Sequence, residues 1–495
     1  MSLKCQNCGA ENVDNAKYCC ECGNEISFYC RKCGTFNRSG KYCIACGTKN
    51  DPVNWDEAST DSSHYSWENV YKDESGTYTA DRLVFLKGNY DAKKIEIRRG
   101  TRIICDHALA EKYKISEDDN EEYYDYKNAI VEEIIIPDSV TKIGNDAFSH
   151  CSSLQSIVIP DSVTEIKSGA FRDCSDLKSI IIPDSTEIGS CAFSGCSSLQ
   201  LIDIPDSVTG IGIFTFERCS SLHFIVIPDS VTEIMEGAFR GCSRLQSIVI
   251  PDSVTEIESE AFSGCESLQT IVIPDSVTQI ENHVFSGCSR LQSIDIPDSV
   301  THIGGGAFCG CNSLRSIVIP DSVTEIGDAV FCFCGFLQRI VIPCSVTKIG
   351  KEAFRECFNL QSIVIPDSVT RIGDGAFAGC SSLQSIVIPD SVTQIGDGAF
   401  KRCKNLQSIA IPDSVTKIGD GAFWLCSSLQ SIDIPDSVTE IGAITFQYCN
   451  SLQSIFIPKG TKEKIKKMIP EYEHLLEEKE DSCDELKISI GKIFY

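Results

Sequence analysis

One column of prolines constrains this chain more than any other feature. Pro137, Pro160, Pro183, Pro205 and their successors to Pro458 recur every 23 residues, with a single step of 22 where IPDSTEIG lacks the valine found after serine in other copies. Between prolines runs one unit, L-Q-S-I-V-I-P-D-S-V-T-E-I-G-D-G-A-F-S-G-C-S-S, in fourteen near-identical copies. A unit this short cannot bury its own apolar face, so copies must stack and share one interior. The repeat therefore overrides the estimate of about three domains that length alone suggests.

The unit starting at Leu154 shows the physics. Ile157 and Ile159 lie two apart and share one face of a strand. Leu154, Val163, Ile166, Ala170, Phe171 and Cys174 recur in the other copies with little change and are the expected interior. Pro160-Asp161-Ser162 is a turn, with proline setting φ and Asp able to bond its own backbone. Glycine and Ala-Phe are expected to carry a short helical or 3-10 return. The period falls within the 20–29 residues of leucine-rich repeats. The predicted class is mainly β with short helical returns: a leucine-rich-repeat solenoid with a parallel β stack over 137–458, preceded by two small zinc ribbons. Residues 77–136 read as an N-terminal capping repeat with an insertion. There Leu83, Phe85, Ile95 and Ile97 enter the stack, Arg98 replaces proline, and the charged run Glu117–Glu122 is a solvated loop. Residues 459–495 read as a helical C-terminal cap over the last sheet edge, with 485–495 able to add one strand.

The zinc expectation comes from the first fifty residues. Cys5-x2-Cys8 is followed by Cys19-x2-Cys22, and Cys30-x2-Cys33 by Cys43-x2-Cys46, each pair ending in C-G. A C-x-x-C turn brings two thiolates together, and two turns complete a tetrahedral site. Two structural Zn²⁺ are expected, with Cys20 left out because only Cys19 gives the right spacing to Cys22. A redox or iron–sulfur role for these cysteines is the competing reading; redox pairs usually sit beside a βαβ pattern that this segment lacks. Residues 51–76, rich in Asp, Glu and Ser, read as an acidic flexible linker in which Trp55, Tyr65 and Trp67 can either dock on a neighbour or pack loosely.

The formal charge of -26 repels phosphate backbones, which argues against nucleic acid as the partner. Residues 1–50 hold seven basic and four acidic side chains, and eight thiolates against two zinc ions bring the segment near neutral. The 29 cysteines follow no disulfide framework. Thiolate sites and many free thiols point to a reducing compartment, and MSLKCQNCGAEN shows no apolar signal core, so a cytoplasmic location is expected. No apolar run approaches the ~20 residues of a membrane span. The seven histidines fit no motif spacing, and phosphate loops, H-E-x-x-H and G-x-S-x-G are missing, so no enzyme is expected.

Between the two core isoleucines sits an outward residue. Down the stack it reads Val158, Ile181, Asp203, Val226, Val249, Val272, Asp295, Val318, Val341, Val364, Val387, Ala410, Asp433 and Phe456. A stripe of this kind is either a surface for a protein partner or valine simply suiting a pleated sheet. The cysteine column from Cys151 to Cys449 reads as small buried filler. The Asp138, Asp161, Asp184 column reads as turn chemistry, with a bound cation as the alternative.

Two resemblances follow. CQNCGAENVDNAKYCCECG and YCRKCGTFNRSGKYCIACGTKN resemble the double zinc ribbon family, whose members are commonly interaction modules and sometimes bind nucleic acid. The entry YTADRLVFLKG, the unit IPDSVT-x-IG-x-x-AF-x-x-C and the exit IPKGTKEKIKKMIPEY resemble the BspA-type leucine-rich repeat over about 400 residues. That likeness implies a solenoid that binds other proteins, frequently at a cell surface. The expected function is thus a non-enzymatic interaction scaffold with an unidentified protein ligand. A surface or secreted adhesin, and a nucleic-acid-associated protein acting through the ribbons, are the alternatives.

Overall fold

The computed structural model describes the short strands 3–4, 11–12, 28–29 and 36–37, then residues 58–67, 70–80, 82–114, 124–127 and 129–479. The chain divides into two compact units, Met1–Val231 and Thr232–Tyr495, built from the same coil.

Each coil begins with the strand around the first core isoleucine. In the first unit Ser156–Val158, Ser179–Ile181 and Leu201–Ile202 pair in parallel, with Ile157 against Ile180 and Ile180 against Ile202. The pattern exposed–buried–exposed along Ser156–Val158 is the period-two alternation of a half-buried strand. The turn follows, closed by the Val163 amide on the Pro160 carbonyl at 2.9 Å. Here the expectation needs correction: the Ser162 hydroxyl, and not the Asp161 carboxylate, ties the turn down, donating to Val140 O of the preceding coil at 2.6 Å.

A second short strand comes next, which the sequence reading had not separated. Lys142–Ile143, Glu165–Ile166 and Glu187–Ile188 pair in parallel; in the second unit the same strand forms a six-membered sheet from Glu325–Ile326 to Glu440–Ile441. The 22-residue step is accommodated at this point. Thr186 is fully buried, and its hydroxyl donates to Val163 O at 2.8 Å, so the missing valine leaves no unsatisfied group.

The return is neither α nor 3-10 helix. Asp146, Phe148 and His150 donate their amides forward to Ser168, Ala170 and Arg172 of the next coil at 2.9, 2.8 and 2.7 Å, while the residues between them bond locally. Asp146 and His150 lie at φ 49° and 59°. Those left-handed residues, two per coil, re-aim alternate amides along the stack and prevent a continuous helix. Glycine is the commonest residue at these positions for that reason, although other residues fill more than half of them.

Inside, phenylalanine rings stack at centroid distances of 5.6 and 5.7 Å from Phe171 through Phe193 to Phe216, and at 5.4–5.8 Å from Phe239 to Phe446 in the second unit. Leu154, Val163, Ala170, Phe171 and Cys174 are fully buried and Ile166 nearly so, as expected.

The N-terminal cap starts before residue 77. Tyr71–Lys72 pairs antiparallel with Gly76–Tyr78, and Gly76–Tyr78 with Val84–Gly88. Ala58, Tyr65 and Val70 pack on the buried cluster of Val84, Leu86, Ile103 and Cys105. The stretch read as linker thus joins the cap from residue 58, whereas Trp67 stays exposed and Trp55 lies outside the described residues. The insertion is a hairpin of Glu111–Lys114 against Tyr124–Lys127. The C-terminal cap is less helical than expected. Helix Lys462–Met468 is followed by a 3-10 segment, Pro470–Leu475, and by strand Leu476–Glu478, which pairs in parallel with Ser454–Ile457. Residues 485–495 lie outside the described residues.

Candidate protein-interaction surface

The strands holding the core isoleucines also position the outward column. In the first unit Val158 and Ile181 are 65% and 69% exposed and face each other in register; Asp203, also exposed, pairs with Val226 through a parallel bridge. In the second unit Val249 pairs with Val272, Val272 with Asp295, Val318 with Val341, and Val364 with Val387. Val318, Val341, Val364 and Val387 are 60–79% exposed. The isoleucines beside them are buried, so these are fixed side chains on a rigid floor.

The column closes at its C-terminal end. Asp433 and Phe456, which the sequence placed on the same stripe, are half-buried. Lys479 of the cap pairs with Asp433 at 3.1 Å and stands 6.0 Å from the Phe456 ring centre. The open run of the second unit therefore ends at Val387 and Ala410.

Two residues escaped the sequence reading. Leu201 and Phe224, 54% and 46% exposed, occupy the serine column beside the stripe. With Val158, Ile181 and Val226 they make the first unit's outward face markedly apolar. The signal was available: in a chain of copies, leucine or phenylalanine in place of serine is a departure.

The cysteine column points inward. Cys174 donates to Phe148 O at 3.2 Å and Cys196 to Phe171 O at 3.1 Å, and burial pushes the Cys196 thiol far up. Such thiols are packed, inert groups. The eight cysteines expected to hold zinc (Cys5, Cys8, Cys19, Cys22, Cys30, Cys33, Cys43 and Cys46) lie outside the described residues. The short antiparallel pairs Leu3–Lys4 with Glu11–Asn12, and Phe28–Tyr29 with Phe36–Asn37, bracket the first C-x-x-C of each set in sequence. Among the described residues, no group of three or more His, Cys, Asp or Glu side chains is placed to hold a metal ion, and no helix is long and apolar enough to cross a membrane.

Comparison with solved structures places this geometry among known folds. A leucine-rich repeat protein from Bacteroides ovatus is 28% identical over 84% of this chain and all of its own, with a TM-score of 0.62. A leucine rich cell surface protein from Faecalibacterium prausnitzii is 30% identical over 81% of this chain and 97% of its own, with a TM-score of 0.47. No functionally curated protein matches the chain. The sequence profile of the BspA type leucine rich repeat region matches residues 121–246, 232–361 and 347–473. With well over half its length matched by that profile, the chain belongs to the BspA-type leucine-rich-repeat family.

Proposed function

We propose that this protein is a non-enzymatic scaffold whose valine columns bind a protein partner. The observation that carries the reading is the run Val318, Val341, Val364 and Val387, held open to water on a backbone that covers everything beneath it. Apolar surface in such a run gains free energy when a partner covers it. A surface already rigid loses little entropy on binding. Asp295 and the cap over Asp433 bound the run and would set where a partner begins and ends.

The test uses the full chain with Val341, Val364 and Val387 all changed to Asp. Aspartate already stands in this column at 203, 295 and 433, so the coil tolerates it. Proteins crosslinked to the wild-type chain should be lost from the variant, while circular dichroism stays the same. Retention of the same partners by the variant would remove the valine surface from consideration.

The ribbon cysteines, in this reading, hold two structural Zn²⁺ and present a second, smaller module that tethers the scaffold. The placement is cytoplasmic, supported by thiolate chemistry and the column of reduced thiols. Fractionation with protease shaving of intact cells distinguishes this from the surface adhesin that the family suggests.

A further inference from the structure

Most cysteines in the stack belong to one inward column, and Cys309 and Cys332 lie outside that column. Each stands two residues before an inward cysteine, Cys311 and Cys334, which are fully buried and bonded to the Phe285 and Phe308 carbonyls. In the repeat this position is commonly serine, as at Ser286 on the preceding coil. Two successive coils here carry cysteine instead.

The stack holds the pair in register. Phe308 N donates to Val330 O at 3.0 Å and Gly310 N to Cys332 O at 2.7 Å, on either side of Cys309. The rings of Phe308 and Phe331, immediately before the two cysteines, lie 5.6 Å apart. A disulfide spans about 4.4–6.8 Å between α-carbons, and coils stacked at about 4.8 Å fall within that range. Cys309 and Cys332 occupy the same position of two successive coils, and each thiol perturbs the other's titration.

We infer that Cys309 and Cys332 form a redox-responsive dithiol, oxidised to an inter-coil disulfide by low-molecular-weight disulfides. Their environments divide the labour. The neighbouring Cys332 holds the Cys309 thiol down at about 7, against the upward push of burial. Cys309 is partly open to solvent, and the Ser286 side chain also supports its thiolate. Cys332 is only 3% exposed, and the neighbouring Cys309 and burial push its thiol up. Arg355, on the next rung of the column, lies 5.7 Å from the Phe333 ring and favours charge on Cys332.

The chemistry balances. The Cys309 thiolate attacks one sulfur of RSSR, forming a mixed disulfide and expelling RS⁻. Cys332 passes its proton to that leaving thiolate and attacks the Cys309 sulfur, expelling the second RS⁻, which takes a proton from water in place of the one Cys309 had given up. Two thiols are oxidised to one disulfide, and RSSR is reduced to two RSH.

The test is peptide mapping of the folded full chain after exposure to oxidised glutathione, with remaining thiols alkylated under denaturing conditions. The expected product is a Cys309–Cys332 crosslink, reversed by dithiothreitol. Cys344 is an internal control: it is exposed but flanked in its own column by Asp321 and Asp367, so it should stop at the glutathione adduct. Cys332→Ser should arrest Cys309 at the same adduct, and Cys309→Ser should leave Cys332 unmodified. A wild-type chain in which Cys309 carries glutathione while Cys332 remains alkylatable would overturn the inference, as would a Cys309 that does not react. The wild-type map decides the matter even if a variant fails to fold.

Discussion

The thiol of Cys311 donates to the carbonyl oxygen of Phe285, 3.2 Å away on the preceding coil. That carbonyl also takes the Cys288 amide at 3.1 Å, so both of its lone pairs are used inside the core. The same bond recurs from Cys265 to Phe239 and from Cys403 to Phe377. Cysteine in this column is therefore a donor as well as a small filler, which serine would be too polar and alanine too short to replace.

Cys311→Ala should cost about 1–2 kcal/mol, from lost volume and one lost buried bond. Because each coil touches only its neighbours, the loss should stay local. Hydrogen exchange should rise in the coils around Phe285 and Cys311 and stay unchanged around Cys426. A uniform rise along the unit would mean that the column does not work coil by coil.

Alkaline pH should unfold the stack through these same thiols. Burial pushes Cys288 from its ordinary 9.0 up to about 12 and Cys449 up to about 11. The folded state therefore holds protons that the unfolded chain has released. Stability from this source is complete below pH 9 and falls as pH rises from there toward the folded values, by about 1.4 kcal/mol per pH unit for each such thiol. Denaturant melts stepped upward from pH 8 should show the decline, and Cys288→Ala should make it shallower.

Two glycines should respond to alanine for different reasons. Gly287 lies at φ +74°, with only ordinary 3.5 Å neighbours for a new Cβ; Gly287→Ala should cost about 1 kcal/mol of backbone strain. At Gly304 a Cβ would meet Asn282 N and Glu281 C of the preceding coil at 2.6 Å. Gly304→Ala should cost more, up to about 3 kcal/mol. Chemical denaturation of the two variants gives the order, and equal losses would contradict it.

These residues also mark what could be read in the sequence. Ile157, Phe171 and Cys174 declared themselves as core because they recur unchanged beside variable neighbours. The strand Glu165–Ile166 did not, since two residues carry no period. The left-handed returns hid behind substitutions such as Phe214 and Ile444, at φ 52° and 54°, which obscure the glycine preference. The proposed partner face was partly legible as a valine column. Its cover at Phe456 depends on Lys479, which no repeat could foretell, and Leu201 and Phe224 required attention to exceptions.

Zinc offers a direct measurement. Two equivalents per chain are expected in protein purified under reducing conditions, with one lost in Cys5→Ser and one in Cys30→Ser. Chelation should alter the ribbons and leave the cooperative melt of the coils unchanged, because the repeats bury their own core. Zinc content near zero in the unmodified chain would return the eight cysteines to redox or other roles.

The C-terminal cap should control self-association. Leu476–Glu478 completes the sheet edge of Ser454–Ile457, and Lys479 N adds a bond to Ile457 O at 3.0 Å. Tyr472 meets Phe446, the last ring of the stack, edge-on at 5.7 Å. Ending the chain at Pro458 would uncover that ring and a row of unpaired backbone groups, a template for another strand. Sedimentation velocity should then show association that grows with concentration, while the intact chain shows none through this edge. Ile465→Asp, which charges a fully buried position of the cap helix, should produce the same association in a full-length chain. A truncated chain that sediments unchanged up to tens of micromolar would show that the coil edge protects itself and that the cap serves another purpose.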